Sequence, residues 1–154
     1  MNRPPHLLLV EAPYYAHIAA LLRQGAQRAV AAAGATCEAV SVPGAFEIPA
    51  AIQYAVRSMH FFAGRKRFDG YVALGCVIRG ETTHYDYVCS ESARGLMNLA
   101  VEKGLAIGYG VLTVEDEAQA WARARLSEGD KGGFAARACM DMIALKRRLL
   151  GQGR

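Results

Sequence analysis

A chain of 154 residues is long enough for one domain with its own core, and 53% apolar against 21% charged residues excludes a disordered chain. The net charge of +4 is concentrated in two clusters, Arg65-Lys66-Arg67 and Lys146-Arg147-Arg148, neither interleaved with aromatics on a recognisable module, which argues against nucleic acid as a partner. No apolar run approaches the ~18 residues of a membrane span, and Met1-Asn-Arg-Pro-Pro-His leads directly into a strand, so neither anchor nor signal peptide is expected and the expected compartment is the cytoplasm.

Leu7 to Val10 is a short apolar run that fits a buried strand; Pro13 interrupts it, and Tyr14-Tyr15 occupy the turn that follows. Helix spacing runs from about Ala16 to Ala33, with Ile18, Leu21, Leu22, Ala29 and Val30 on the inner side and Gly34 closing it. Thr36 to Val42 reads as a second strand. Pro43-Gly44-Ala45-Phe46-Glu47-Ile48-Pro49 is a loop bracketed by prolines, and Pro49 suits the first turn of a helix whose stripe is Ile52, Val56 and Met59. Gly64 ends that helix, and the first basic cluster forms a solvated turn. Tyr71 to Ile78 is a third strand, and Gly80 breaks it. Tyr85, Val88, Ser92, Leu96 and Leu99 then mark one face of a helix that Gly104 closes. Leu105 to Thr113 is a fourth strand, weakened by Gly108 and Gly110. A fourth helix begins near Glu115-Asp116-Glu117 and includes Ala118, Trp121 and Ala122. Gly129 to Gly133 is a loop, and a last helix runs from about Phe134 to Leu150, its terminal cations complementing the dipole.

Four strands alternating with helices predict a single α/β domain over residues 1–154, a flavodoxin-like three-layer sandwich with a four-stranded parallel sheet flanked by helices. The carboxyl edge of such a sheet is where ligands bind, and it carries Tyr14-Tyr15, Phe46-Glu47, Gly80 to His84 and Thr113-Val114. The apolar content is slightly above that of an average soluble domain, which hints at further burial between subunits.

Chemistry concentrates between Tyr71 and Tyr87. Strand, glycine turn and helix start aim backbone N–H groups and a positive dipole end at one spot, an arrangement suited to phosphate. Thr82, Thr83 and His84 stand at that spot, and His84 is the one histidine of four placed between a strand and a helix. Thr83 and Asp86 also form a capping signal, so an ordinary α/β connection with Thr83 as its cap is the plainer alternative. Cys37, Cys76, Cys89 and Cys139 have no Cys-x-x-Cys spacing; Cys76 and Cys89 fall on elements expected to be buried, and neither zinc nor a disulfide is predicted.

The run Gly75-Cys76-Val77-Ile78-Arg79-Gly80-Glu81-Thr82-Thr83-His84 is far more specific than any of its parts, and it resembles the central motif of lumazine synthase, the penultimate enzyme of riboflavin biosynthesis. Residues 43–49 resemble a second block of that family. Gly110-Val111-Leu112-Thr113-Val114-Glu115-Asp116, followed by Arg123 and Asp130-Lys131-Gly132, resembles a third. The blocks occur in the family's order and cover nearly the whole chain. The resemblance implies a cofactor-independent condensation of 5-amino-6-(D-ribitylamino)pyrimidine-2,4-dione with 3,4-dihydroxy-2-butanone 4-phosphate. An imine forms, phosphate is eliminated, and ring closure with loss of water gives 6,7-dimethyl-8-ribityllumazine.

Residue by residue, the resemblance puts His84 at the proton-transferring histidine, a residue type that exchanges protons near neutral pH. Gly80, Glu81 and Thr82 match the phosphate turn, and Arg123 an arginine that reaches the same phosphate, although unaided it reads as an exposed helical arginine. Tyr14 matches the aromatic that stacks on the pyrimidine; Pro13 and Tyr15 depart from the common Arg-Phe-Asn pattern, so either tyrosine could stack. Ala45, Phe46 and Glu47 match the segment holding the ribityl chain, and Cys76, Val77 and Ile78 the strand end that reads the pyrimidine edge. Tyr109 matches an aromatic lent by the neighbouring subunit, and Lys131 a residue near the site. Phe134 departs from relatives that carry an acid close by.

Family members form pentamers with sites between subunits, and some build shells of twelve pentamers. Shell formers tend to carry Gly-Thr-Lys-Ala-Gly between the last two helices, where this chain has Arg125-Leu126-Ser127-Glu128-Gly129, and the segment before Leu7 is short. The resemblance therefore implies a free homopentamer with small-molecule substrates and no metal. A lumazine- or flavin-binding protein of the same fold is the alternative, but a binder of product has no use for a phosphate cradle. A flavodoxin-like flavin-phosphate module would want a longer phosphate loop than Glu11-Ala12-Pro13.

Overall fold

The structure is a computed structural model that describes residues 3–61 and 67–151. Its elements are β1 (His6–Glu11), α1 (Ala16–Ala32), β2 (Thr36–Ser41), a 3-10 turn (Ala45–Glu47), α2 (Ile48–Phe61), β3 (Gly70–Ile78), α3 (His84–Lys103), β4 (Ile107–Val114), α4 (Glu117–Ala124) and α5 (Lys131–Leu149). The four strands form one sheet in the order β2-β1-β3-β4, every pair parallel. This is the α/β architecture expected from the alternation of strands and helices.

Period-two alternation decides which side of the sheet each strand residue serves. Leu7, Leu9, Val72, Leu74, Leu112 and Val114 pack with Ile18, Leu22, Ala120, Ala124, Ala135, Cys139 and Ile143, so α1, α4 and α5 cover one face. Leu8, Val10, Ala73 and Val111 pack with Ile48, Ile52, Val56, Val88 and Leu96, so α2 and α3 cover the other. β1 and β3 are buried on both faces, which is why they read as continuous apolar runs. β2 is an edge strand and mostly exposed.

Gly108 and Gly110, which weaken β4 as a sequence, are required by its packing. A Cβ at Gly108 would stand 2.0 Å from the Ala135 carbonyl oxygen, and one at Gly110 2.8 Å from Leu74 Cδ2. These glycines let α5 lie directly on β4. Gly108→Ala is therefore expected to destabilise the fold by about 1–3 kcal/mol through overpacking. Urea denaturation would show it as a lower midpoint at unchanged slope.

Two ends differ from the sequence reading. α5 begins at Lys131, inside the stretch read as a loop, because Asp130 adopts a left-handed conformation (φ 43) and accepts a hydrogen bond from Gly133 N at 3.3 Å. Thr83 stands at the N-cap of α3 but makes no side-chain cap hydrogen bond, so the Thr83–Asp86 capping box does not form. Gly34 (φ 71) and Gly104 (φ 64) do close α1 and α3 in the left-handed region, as expected of helix-ending glycines. The terminal cations of α5 do more than face its dipole: Lys146 Nζ donates to the Gly104 carbonyl at 2.6 Å, and Arg147 donates to the Arg3 carbonyl at 3.0 Å. Gly64 and the Arg65-Lys66 part of the basic turn lie outside the described residues.

Candidate active site

In the order β2-β1-β3-β4 the chain reverses its direction of progress between β1 and β3, and a crevice opens beyond the carboxyl ends of those two strands. A cleft of about 580 Å³ lies there. Its walls come from Tyr14 and Tyr15 after β1, residues 43–47 after β2, Cys76 to Ile78 at the end of β3, and His84, Tyr87 and Val88 on the first turns of α3.

The aromatics have unequal freedom. Tyr14 is 75% exposed, whereas Tyr15 is half-buried against the core of the α1 face, and the two rings meet edge-on at 5.0 Å. Both line the cleft, Tyr14 with most of its surface open and Tyr15 partly enclosed by the core. Phe46 is also exposed, on a 3-10 turn fixed by Ala45 and Ile48, both buried. Burial pushes the Cys76 thiol up to about 11, so at neutral pH it stays a protonated, weakly reactive wall group.

β3 ends at Ile78, and Arg79 N donates to the Val114 carbonyl at 2.9 Å. The amides of Gly80, Glu81 and Thr82 donate to no protein acceptor among the described residues. The His84 amide reaches only the Thr82 hydroxyl, at 3.4 Å. Because Thr83 does not cap the helix, its N-terminus points open donors outward beside His84. The turn thus presents open donors, chemically suited to an anion, beside a cleft with an imidazole in its wall.

The remaining candidates gather elsewhere. Tyr109, Arg123 and Lys131 line a second, smaller cleft of about 230 Å³ with Thr113 and Phe134, at the β4 edge of the sheet. Arg123 Nη1 donates to the Gln119 carbonyl of its own helix at 3.1 Å, and Lys131 Nζ lies 4.9 Å from the Phe134 ring centroid. Burial, and then the nearby Cys89 and Tyr85, raise the Tyr109 phenol. Within one chain, Arg123 is therefore grouped with Tyr109 and Lys131, apart from Tyr14 and His84. Gly80, Glu81 and Thr82 line neither of these clefts.

Pro43, Gly44, Tyr87 and Val88 also line the main cleft, and none of them has a site role in the sequence reading. Tyr87 had a usable signal: it stands three residues after His84, on the same side of α3. The Cys89 side of the sequence reading is corrected, since Cys89 is half-buried, whereas Cys76 is buried. Among the described residues no group of three or more His, Cys, Asp or Glu side chains is placed to hold a metal ion.

Comparison with known proteins assigns nearly the whole chain to one family. The sequence model of the family described as 6,7-dimethyl-8-ribityllumazine synthase matches residues 4–147. The chain belongs to that family. A relative from Rhizobium meliloti (strain 1021), named 6,7-dimethyl-8-ribityllumazine synthase 1, is 58% identical over 147 residues, 96% of this chain and 95% of the relative. A 6,7-dimethyl-8-ribityllumazine synthase from Agrobacterium fabrum is 55% identical, covering 96% of this chain and 98% of its own length. One from Bartonella tribocorum is 52% identical over 148 residues, again 96% of this chain and 94% of the relative. The matched range, residues 4–147, includes the residues that line both clefts.

Proposed function

We propose that this chain is a 6,7-dimethyl-8-ribityllumazine synthase, joining 5-amino-6-(D-ribitylamino)pyrimidine-2,4-dione to 3,4-dihydroxy-2-butanone 4-phosphate. The observation that carries the reading is the turn after β3, which sets open amides and His84 at the rim of an aromatic cleft. Tyr14 stacks on the pyrimidine, and the backbone at Cys76, Val77 and Ile78 reads its edge. Ala45, Phe46 and Glu47 hold the ribityl chain, Glu47 accepting from its hydroxyls. Gly80, Glu81 and Thr82 take the phosphate.

The chemistry is a sequence of proton transfers. The 5-amino group adds to the ketone and loses water to give an imine. A proton leaves the carbon chain and phosphate departs as a dianion. The ribitylamino nitrogen then closes the ring with loss of a second water. His84 gives and takes these protons, and the phosphate cradle stabilises the leaving group. Incubating the protein with both substrates should raise lumazine absorbance well above the uncatalysed rate. A rate equal to that of the mixture alone would overturn the reading.

The working unit is a cytoplasmic homopentamer with each site shared between neighbours, so that Tyr109, Arg123 and Lys131 of one subunit complete the cleft of the next. Two features support assembly. The second cleft lies at an open sheet edge, and α2 and α3 expose Tyr54 (71%), Phe61 (78%) and Val101 (74%), a large apolar load for a free surface. Free thiols at all four cysteines fit a reducing compartment. Arg125 ends α4 with an ordinary φ of −59, its guanidinium 5.4 Å from the Trp121 ring centroid and 3.6 Å from Glu128, so the join between α4 and α5 is bulky and charged. Light scattering should give five times the chain's mass. A dominant species at twelve times that pentamer mass would show that the join does accept another pentamer.

A further inference from the structure

Arg79 stands between the strand end and the anion turn, yet its side chain lines neither cleft. It turns away from the crevice and grips what lies behind it. Nε donates to Glu115 Oε2 at 2.8 Å, Nη1 lies 3.5 Å from Asp86 Oδ1, and the guanidinium stands 4.3 Å from the Tyr85 ring centroid. Its own amide is bound to the Val114 carbonyl. Glu115 is fixed in turn, because its amide donates to Gln119 Oε1 at 2.8 Å. One side chain therefore joins the exits of β3 and β4 to the first turn of α3. The turn it spans, Gly80 to Thr83, has no side-chain cap and has open amides at residues 80–82.

We infer that Arg79 is a positioning residue: the bracket Glu115–Arg79–Asp86, stacked on Tyr85, fixes the Gly80–Thr82 amides and the His84 backbone where the phosphorylated ketone binds. The inference rests on the proposed synthase activity. Stability does not account for the bracket. The side chains of Arg79, Glu115 and Asp86 are 43%, 57% and 61% exposed, and ion pairs so open to water contribute little to folding. Orientation is another matter, since a misplacement of about 1 Å at a binding site can cost ~100-fold in rate. A planar guanidinium that bonds through Nε and stacks on a ring defines a plane, which an ammonium does not.

The test compares Arg79→Gln, Glu115→Gln, the double variant and Arg79→Lys. Each of the first two is expected to raise KM for the phosphorylated butanone roughly tenfold, with KM for the pyrimidine within about twofold. The double variant should be no worse than Arg79→Gln alone, because both remove one device. Arg79→Lys should recover only part of the loss. Amide exchange across residues 80–84 should accelerate in both single variants while Tm stays within a few degrees of wild type. Wild-type KM and exchange in Arg79→Gln overturn the inference. So does a silent Glu115→Gln beside a damaged Arg79→Gln, which would mean that Arg79 touches the phosphate itself. If the wild-type protein makes no lumazine, the proposed function fails and amide exchange alone decides the bracket.

Discussion

Replacing His84 by alanine is expected to lower turnover roughly ten- to a thousandfold while leaving pyrimidine binding nearly unchanged. The range follows from what a positioned proton donor and acceptor contributes, and from the reaction's capacity to proceed slowly without one. His84 is the first residue of α3 and lies in the wall of the cleft, where Tyr14, Phe46 and the end of β3 also stand and, on the proposed function, take the heterocycle. Removing the imidazole takes away proton transfer and little contact area. Its backbone role is confined to an amide that reaches Thr82 Oγ1, which alanine keeps. A single-turnover assay at saturating pyrimidine isolates the loss. Wild-type turnover in the variant would move proton transfer to another group, and a large rise in pyrimidine KM would make His84 a wall residue instead.

The sequence pattern located the four strands and five α-helices of the described residues, and it was clearest where burial is regular. β1 and β3 are apolar throughout since helices cover both faces, and α3 repeats its buried residues at Val88, Ser92 and Leu96. What escaped was set by contacts between distant segments. The glycines of β4 look like strand breakers until α5 is laid on them. The start of α5 at Lys131 depends on Asp130 in a left-handed conformation, which a run of Gly-Asp-Lys-Gly-Gly does not announce. Thr83 fits a capping pattern, yet its backbone φ/ψ of −71/−4 is already helical, so its hydroxyl does not close the helix. The main cleft was legible because its walls are short turns after three strands. The partition of the site was not. Strand order decides it: β1 and β3 are neighbours and share the crevice, while β4 is the sheet's other edge, where its Tyr109 lines a separate cleft with Arg123 of α4 and Lys131 of α5.

Arg123→Ala is expected to cost about 2–4 kcal/mol, mostly as weaker apparent affinity for the phosphorylated butanone. Its guanidinium is exposed and bonds to nothing beyond the Gln119 carbonyl in its own helix among the described residues, so truncation should barely touch stability. Lysine should restore only part of the affinity, since a point charge lacks the fork that holds two phosphate oxygens. Equal losses for the pyrimidine would assign Arg123 to folding. The position of Arg123 away from His84 allows a sharper test. If each site takes its cleft from one subunit and Arg123 from the next, subunits carrying His84→Ala and subunits carrying Arg123→Ala fail separately but complement when mixed. A site whose cleft belongs to an Arg123→Ala subunit and whose arginine belongs to a His84→Ala subunit is intact. Random reassembly of equal amounts should leave roughly a quarter of the sites in that state, because a ring built from one heterologous contact gives every cleft one such neighbour. A chain carrying both substitutions should not complement itself. With the butanone held near its wild-type KM, recovery near a quarter of the wild-type rate would support the shared site, and no recovery after verified co-assembly would place Arg123 in the service of its own chain.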